Sequence, residues 1–215
     1  MKNKTKSTYC LKSLCQNVVG SFSEYYLLLF VAAIASSIFF LFSLFDTVSS
    51  IPDIRVETIV KEVKVNYSKY PKILVFVGDK GNRGKGKLVA VNTKEGSLDG
   101  AWDAISGVGG REDQRMSGPI PSQPTVNVIH YTVHTSPLTL SNPGIAGKFY
   151  KINPHLITIR GQTRGDFGIH ADRNVPGTAG CVGIESEVDW QAFKALMADY
   201  KESGLKEVPL LVSYR

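Results

Sequence analysis

The sequence predicts a mainly β domain with one packed α-helix, standing behind an N-terminal transmembrane helix. Three observations lead there. A run of 21 residues from Tyr25 to Phe45 carries no charge. From Pro71 onward, short runs rich in Val, Ile and Leu alternate with Gly and Pro, the pattern of strands and turns. After Ser186, apolar residues recur at helical spacing over a single stretch.

The first element is the span. At about 1.5 Å per residue, residues 25–45 form roughly 30 Å of helix, the thickness of a bilayer's hydrocarbon core. Lys2, Lys4, Lys6 and Lys12 precede it with only Glu24 opposing them, whereas Asp53 and Arg55 follow it with mixed sign. The positive-inside rule puts residues 1–24 in the cytoplasm and everything after Phe45 outside, in a periplasmic or extracellular space. A cleaved signal peptide is the competing reading, but its apolar region is typically about 7–15 residues, shorter than this one. Residues 46–71 carry Ile54, Val56, Ile59, Val60, Val63 and Val65 among charges, a pattern open to a short amphipathic helix or an extended stalk. The domain itself is expected from 72 to 215.

Within it, Lys72–Val77 and Lys87–Val91 read as strands joined by a glycine-rich hairpin loop over 78–86. Further strands are expected at Val126–Thr135, Leu156–Ile159, Phe167–His170 and Val208–Tyr214. The helix lies between the last two: Ser186 with Asp189 three residues on is a capping signal. Trp190, Phe193, Leu196, Met197 and Tyr200 share one face, and Gly204 lies past the end.

Composition narrows the function classes. Lys and Arg number 25 against 19 Asp and Glu, a net charge of +6, but the cytoplasmic tail holds half of that surplus. The charge therefore reports topology and gives no case for nucleic acid. Of three cysteines, Cys10 and Cys15 fall on the reducing side and Cys181 alone on the oxidising side, which excludes a disulfide-stapled scaffold.

Two motifs fail on inspection. Gly81, Gly86 and Lys87 have the spacing of a phosphate-binding loop, but Leu88 stands where a Ser or Thr should bind metal, and a strand follows instead of a helix. His130 and His134 fall on one strand face about 13 Å apart, too far to share a metal ion. No metal and no cofactor is expected.

The informative stretch is Asp166 to Ile184. A strand delivers His170 at its end, Pro176-Gly177 turns the chain, and Cys181 sits between Gly180 and Val182-Gly183. A thiol nucleophile needs a base, and a nearby imidazole is expected to lower its pKa by stabilising the ion pair. The glycines leave backbone amides open to a developing oxyanion. The plainer reading is a small buried cysteine beside a core histidine.

The block Ile169-His170 through Thr178-Ala179-Gly180-Cys181-Val182 resembles the active-site signature of the YkuD-type L,D-transpeptidases. It is most similar to the short-gap branch found in phage proteins and secreted peptidoglycan-attacking effectors. Ser117-Gly118-Pro119-Ile120-Pro121 is similar to that branch's Gly-Pro-Ile-Pro loop. The resemblance covers about residues 72–215 and implies a YkuD-like β-sandwich or barrel. It also implies Cys181 as nucleophile, His170 as general base, and Gly180 with the Cys181 amide on the oxyanion side, with Thr178 in the turn. Asp172 is the sequence neighbour available to orient His170. Three positions depart from the family pattern: Ala179 replaces a second His, Gly183 an Arg, and Ser122-Gln123-Pro124 a Gly and an aromatic.

The implied activity is a membrane-anchored cysteine acyltransferase acting on peptidoglycan stem peptides through a thioester, as transpeptidase or carboxypeptidase. A sortase would carry a Thr-Leu-x-Thr run before its Cys, absent here, and papain-like wall peptidases place Cys before His. From another class comes a non-catalytic wall-binding or lysis-accessory protein with a structural Cys181.

Overall fold

The computed structural model describes residues 55–79, 84–122, 131–145, 147–173 and 176–215. The tail, the apolar run 25–45, Cys10, Cys15, His130 and most of the glycine-rich loop lie outside the described residues. Among the described residues no helix is long and apolar enough to cross a membrane.

Residues 51–215 form one compact unit. Its strands are β1 (Lys72–Gly78), β2 (Lys85–Asn92), β3 (Ser97–Ser106), β4 (Tyr131–His134), β5 (Leu138–Leu140), β6 (Gly147–Asn153), β7 (Leu156–Ile159), β8 (Gln162–Gly165), β9 (Gly168–Ala171), β10 (Val182–Ile184) and β11 (Glu207–Tyr214). Among the described residues two helices accompany them, α1 (Val56–Asn66) and α2 (Glu187–Glu202). Hydrogen bonding runs β4-β11-β1-β2-β3-β10-β9-β6, and a β4–β6 pairing closes the series into an eight-stranded barrel. Strand β5 hangs on β6, and β7 and β8 form a separate hairpin. Closure removes the open edges that a flat sheet would leave unpaired. The pairs β1–β11 and β9–β10 are parallel; the other barrel pairs are antiparallel.

Two apolar clusters flank the sheet. Inside the barrel, Leu74, Phe76, Leu88, Trp102, Ile152, Ile169, Val182 and Val212 meet Trp190, Phe193, Met197 and Tyr200 of α2. Phe193 is the centre of this contact, edge-on to Trp102 at 5.2 Å and to Tyr150 at 5.3 Å. The cap is as the spacing predicts: Ser186 Oγ accepts the Asp189 N–H at 3.3 Å, and Gly204 takes φ of 89° past the helix end.

The second cluster lies on the outer face of β1 and β2, where Ile73, Val75, Val77, Val89 and Val91 are covered by Ile59 of α1. Strands buried on both faces read as continuous apolar runs, which is why these two are the most legible in the sequence. Of the two conformations open to residues 46–71, residues 56–66 adopt the helix, and it docks. The domain thus has a second packed helix where the sequence predicts one.

Because Ile59 is only 2% exposed, Ile59→Ala is expected to cost about 2–4 kcal/mol in urea denaturation. A free stalk at this position would show no change.

Candidate active site

Strand β9 alternates cleanly. Phe167, Ile169 and Ala171 enter the barrel core, so Gly168 and His170 face outward. Strand β10 runs parallel beside it with Gly183 opposite His170. Cys181, two residues before Gly183, falls on the same outer face next to Gly168. Phe149 of β6 lies across from His170, and the two rings stack with centroids 6.2 Å apart and 21° between planes. A Cβ on Gly168 would sit 2.1 Å from the Phe149 ring, so the absence of a side chain there is what admits Phe149. At Gly183 a Cβ would meet Asp172 at 3.0 Å and Thr178 at 3.1 Å.

His170 is buried, and its Nδ1 lies 2.9 Å from the Ala171 carbonyl. A carbonyl only accepts, so Nδ1 carries the proton and Nε2 keeps a lone pair, the arrangement of a general base. Asp172 does not hold the ring. Its Oδ2 accepts the Gly177 N–H at 3.1 Å, and its influence on His170 is coulombic. Burial lowers the His170 pKa below the ordinary value, against the opposing effects of the Ala171 hydrogen bond and the Asp172 charge.

Cys181 is half-buried, with Sγ donating weakly toward the Asp166 carbonyl at 3.8 Å. Burial pushes the thiol up to about 11. The Gly168 N–H and the Arg164 charge pull it down, and the Asp166 charge adds to the rise. Burial thus disfavours both members of the ion pair. The neighbours that act on the sulfur are Gly168, Asp166 and Arg164, and the expected lowering of the thiol pKa by His170 is absent. With a thiol near 11, only about one molecule in 10⁴ carries a thiolate at pH 7.

The turn before the cysteine is built by Thr178. Its Oγ1 donates to the Cys181 carbonyl at 2.5 Å and accepts the Gly107 N–H at 2.9 Å and the Gly180 N–H at 3.2 Å. The Gly180 amide is therefore a turn-forming group and does not serve an oxyanion, leaving the Cys181 amide as the donor adjoining the sulfur. Gly180 is required on two counts: its φ is 121°, and a Cβ would lie 2.5 Å from Arg164 Nη2.

Sequence reasoning misses Arg164. This side chain is 5% exposed and bonds four carbonyls. Nη1 donates to Glu112, and to Pro119 at 2.7 Å; Nη2 donates to Gly118 at 2.7 Å and Ala179 at 3.0 Å. The guanidinium lies 5.3 Å from the centre of the Phe167 ring. Tyr131 Oη donates to the Pro121 carbonyl at 2.9 Å, Tyr214 Oη to the Ile120 carbonyl at 2.6 Å, and the Ile120 N–H to Ser106 Oγ at 2.8 Å. The Ser117–Pro121 loop and the Thr178–Cys181 turn, distant in sequence, thereby share one anchor. Backbone carbonyls leave no partner to find by spacing, so no sequence signal marks this arginine.

The other histidines separate. His134 Nε2 lies 2.7 Å from Asn153 Nδ2 and 3.3 Å from Glu207, while His155 Nδ1 lies 3.1 Å from Asp166 Oδ1, beside the site. Among the described residues no group of three or more His, Cys, Asp or Glu is placed to hold a metal ion.

No family profile matches the chain, and no curated protein matches it. Two solved structures are similar to it: the helical cell shape determining protein Pgp2 from Campylobacter jejuni and a point mutant of it. The identities are 11% and 14%, with TM-scores of 0.42 and 0.43. The matches cover 74% and 68% of this chain and 55% and 49% of those chains. The chain thus spans about half the length of the structures it matches.

Alkylation of Cys181 in the full-length protein by iodoacetamide, followed by mass spectrometry of its peptide, is expected to accelerate with pH until about 11. A plateau near the usual thiol pKa of about 8.5 would show that burial does not protect the proton. Arg164→Lys replaces a planar fork with a point charge and strands buried carbonyls; it is expected to cost about 2–4 kcal/mol in urea denaturation.

Proposed function

We propose that the chain is a cysteine acyltransferase of the L,D-transpeptidase kind, acting on peptidoglycan stem peptides. The observation that carries this reading is the register of parallel strands β9 and β10, which sets Gly183 opposite a tautomer-fixed His170 and brings Cys181, the residue before β10, to the neighbouring strand end. The resemblance of the His170-to-Cys181 block to the YkuD signature names the substrate.

In the proposed reaction, the carbonyl of the third stem residue enters above Cys181. As sulfur attacks the carbonyl carbon, the thiol proton passes to His170 Nε2. The Cys181 N–H receives the oxyanion. The imidazolium formed is held at Nδ1 by the Ala171 carbonyl and favoured by the Asp172 charge, so the groups that oppose the burial effect act when charge appears. Collapse breaks the C–N bond, His170 returns its proton to the departing amine of D-alanine, and a thioester remains. An amine from a second stem yields a crosslink, and water yields a tripeptide. We further propose that residues 25–45 anchor the protein in the cytoplasmic membrane with the acyltransferase on its outer side.

The test is incubation of the full-length protein with purified tetrapeptide muropeptides. D-alanine release is expected from the wild type, loss from Cys181→Ala, and a fall of roughly 10²–10⁴ in kcat/KM from His170→Ala. Because His170 is shifted below its usual value, the acid limb of the pH profile is expected to have its midpoint below about 6.5. Release that survives Cys181→Ala overturns the mechanism.

A further inference from the structure

The sulfur has a neighbour that the reaction above does not use. Asp166 joins β8 to β9, and its carbonyl oxygen is the group 3.8 Å from Sγ. Its φ is 57°, in the left-handed region where Asp and Asn are among the few tolerated residues other than Gly. Both ends of Asp166 are fastened to one partner: its N–H donates to the His155 carbonyl at 3.1 Å, and His155 Nδ1 lies 3.1 Å from Oδ1. The preceding Gly165 presses against the same strand end, since a Cβ there would lie 2.2 Å from the His155 carbonyl. A closed hairpin base therefore holds the Asp166 main chain beside the nucleophile, and the Asp166 charge is felt at the sulfur.

That carboxylate is held yet open. Its side chain is 81% exposed, and Oδ2 has no partner among the described residues. The positive charge two residues earlier does not cancel it, because Arg164 is buried with its donors committed to carbonyls. The exposed charge that acts on the sulfur is that of the Asp166 carboxylate, shared at Oδ1 with His155. Acyl transfer to an amine must recruit a group that is an ammonium ion at neutral pH, and a fixed carboxylate attracts that ion while disfavouring a carboxylate.

We propose that Asp166 is a specificity-determining residue that binds a primary ammonium group on the side chain of a stem peptide at the mouth of the site. The inference rests on the acyl-transfer reading and adds the group that selects its substrate. One chemistry has two sources here, the side-chain ammonium of the donor stem and that of the acceptor stem, and the experiment separates them.

In the donor arm, the full-length protein is given tetrapeptide stems with either a free or an acetylated side-chain amine, and kcat/KM for D-alanine release is compared. In the acceptor arm, an acetylated donor is combined with a tripeptide whose side chain ends either in an amine, an ammonium ion at neutral pH, or in an aminooxy group, uncharged at that pH, and the apparent KM for the two acceptors is compared. The wild type is expected to favour the ammonium roughly three- to tenfold in one arm. The Asp166→Asn variant, which keeps the left-handed turn and the side chain's shape, is expected to bring that ratio close to one in the same arm. The arm affected names the source. A ratio unchanged by Asp166→Asn, or no ammonium preference in either wild-type arm, overturns the proposal. If the variant does not fold, salt decides: a preference built on an exposed carboxylate must weaken as ionic strength rises, and a salt-independent one overturns it. D-alanine release without ammonium preference fails this inference alone, whereas no release from any donor fails the acyl-transfer reading and this inference with it.

Discussion

The site depends on a buried guanidinium. Arg164 stands at the end of the β7–β8 hairpin and binds carbonyls from the segment at Glu112, from the Gly118-Pro119 loop and from the turn at Ala179. None of these segments is a regular strand or helix, so none has its own ladder of hydrogen bonds, and buried carbonyls without donors are costly. One planar group with five N–H donors answers several at once. The position of Cys181 follows from this, because the Arg164 Nη2 that bonds Ala179 also sets how close Gly180 must approach. The barrel supplies the strands, and the arginine decides how the connecting segments lie over them.

Burial dominates the electrostatics of the candidate site. Burial lowers the affinity of His170 for a second proton and raises the affinity of Cys181 for its own. A neutral thiol is slow to oxidise, since the thiolate is the reactive form. In the proposed reaction a substrate carbonyl that accepts electron density from sulfur would make proton transfer to Nε2 favourable, and the imidazolium would then gain from the Ala171 carbonyl and the Asp172 carboxylate. The groups that would favour charge are present but outweighed until chemistry begins.

What the sequence reveals follows the periodicities it can carry. Strands β1 and β2 are apolar throughout because both faces are buried, and α2 shows its stripe and its Ser186 cap. Strand β3 escapes notice because Gly100 interrupts it and its charges look like a loop; in the fold Asp103 meets Lys87 at 2.7 Å and Asp99 meets Lys72 at 2.6 Å. Strand β10 has three residues, too few for any alternation to register, and is a strand because β3 and β9 both pair with it. The pair His170 and Cys181 is legible because both come from one short segment. Arg164 and the His155–Asp166 contact are not, because tertiary packing alone brings their partners together. Asp172 shows the limit of proximity in the chain: it lies two residues from His170 and serves the turn instead.

The partner of His170 Nδ1 is a main-chain atom. A carbonyl oxygen is present whatever side chain position 171 carries, so the group that fixes the tautomer is not encoded by any codon's identity. Systematic side-chain replacement would therefore register two groups of the candidate site where the geometry contains three. The third can be lost only by moving the strand, which places the inheritance of the base's protonation state in the backbone path of β9 and makes it as durable as the barrel.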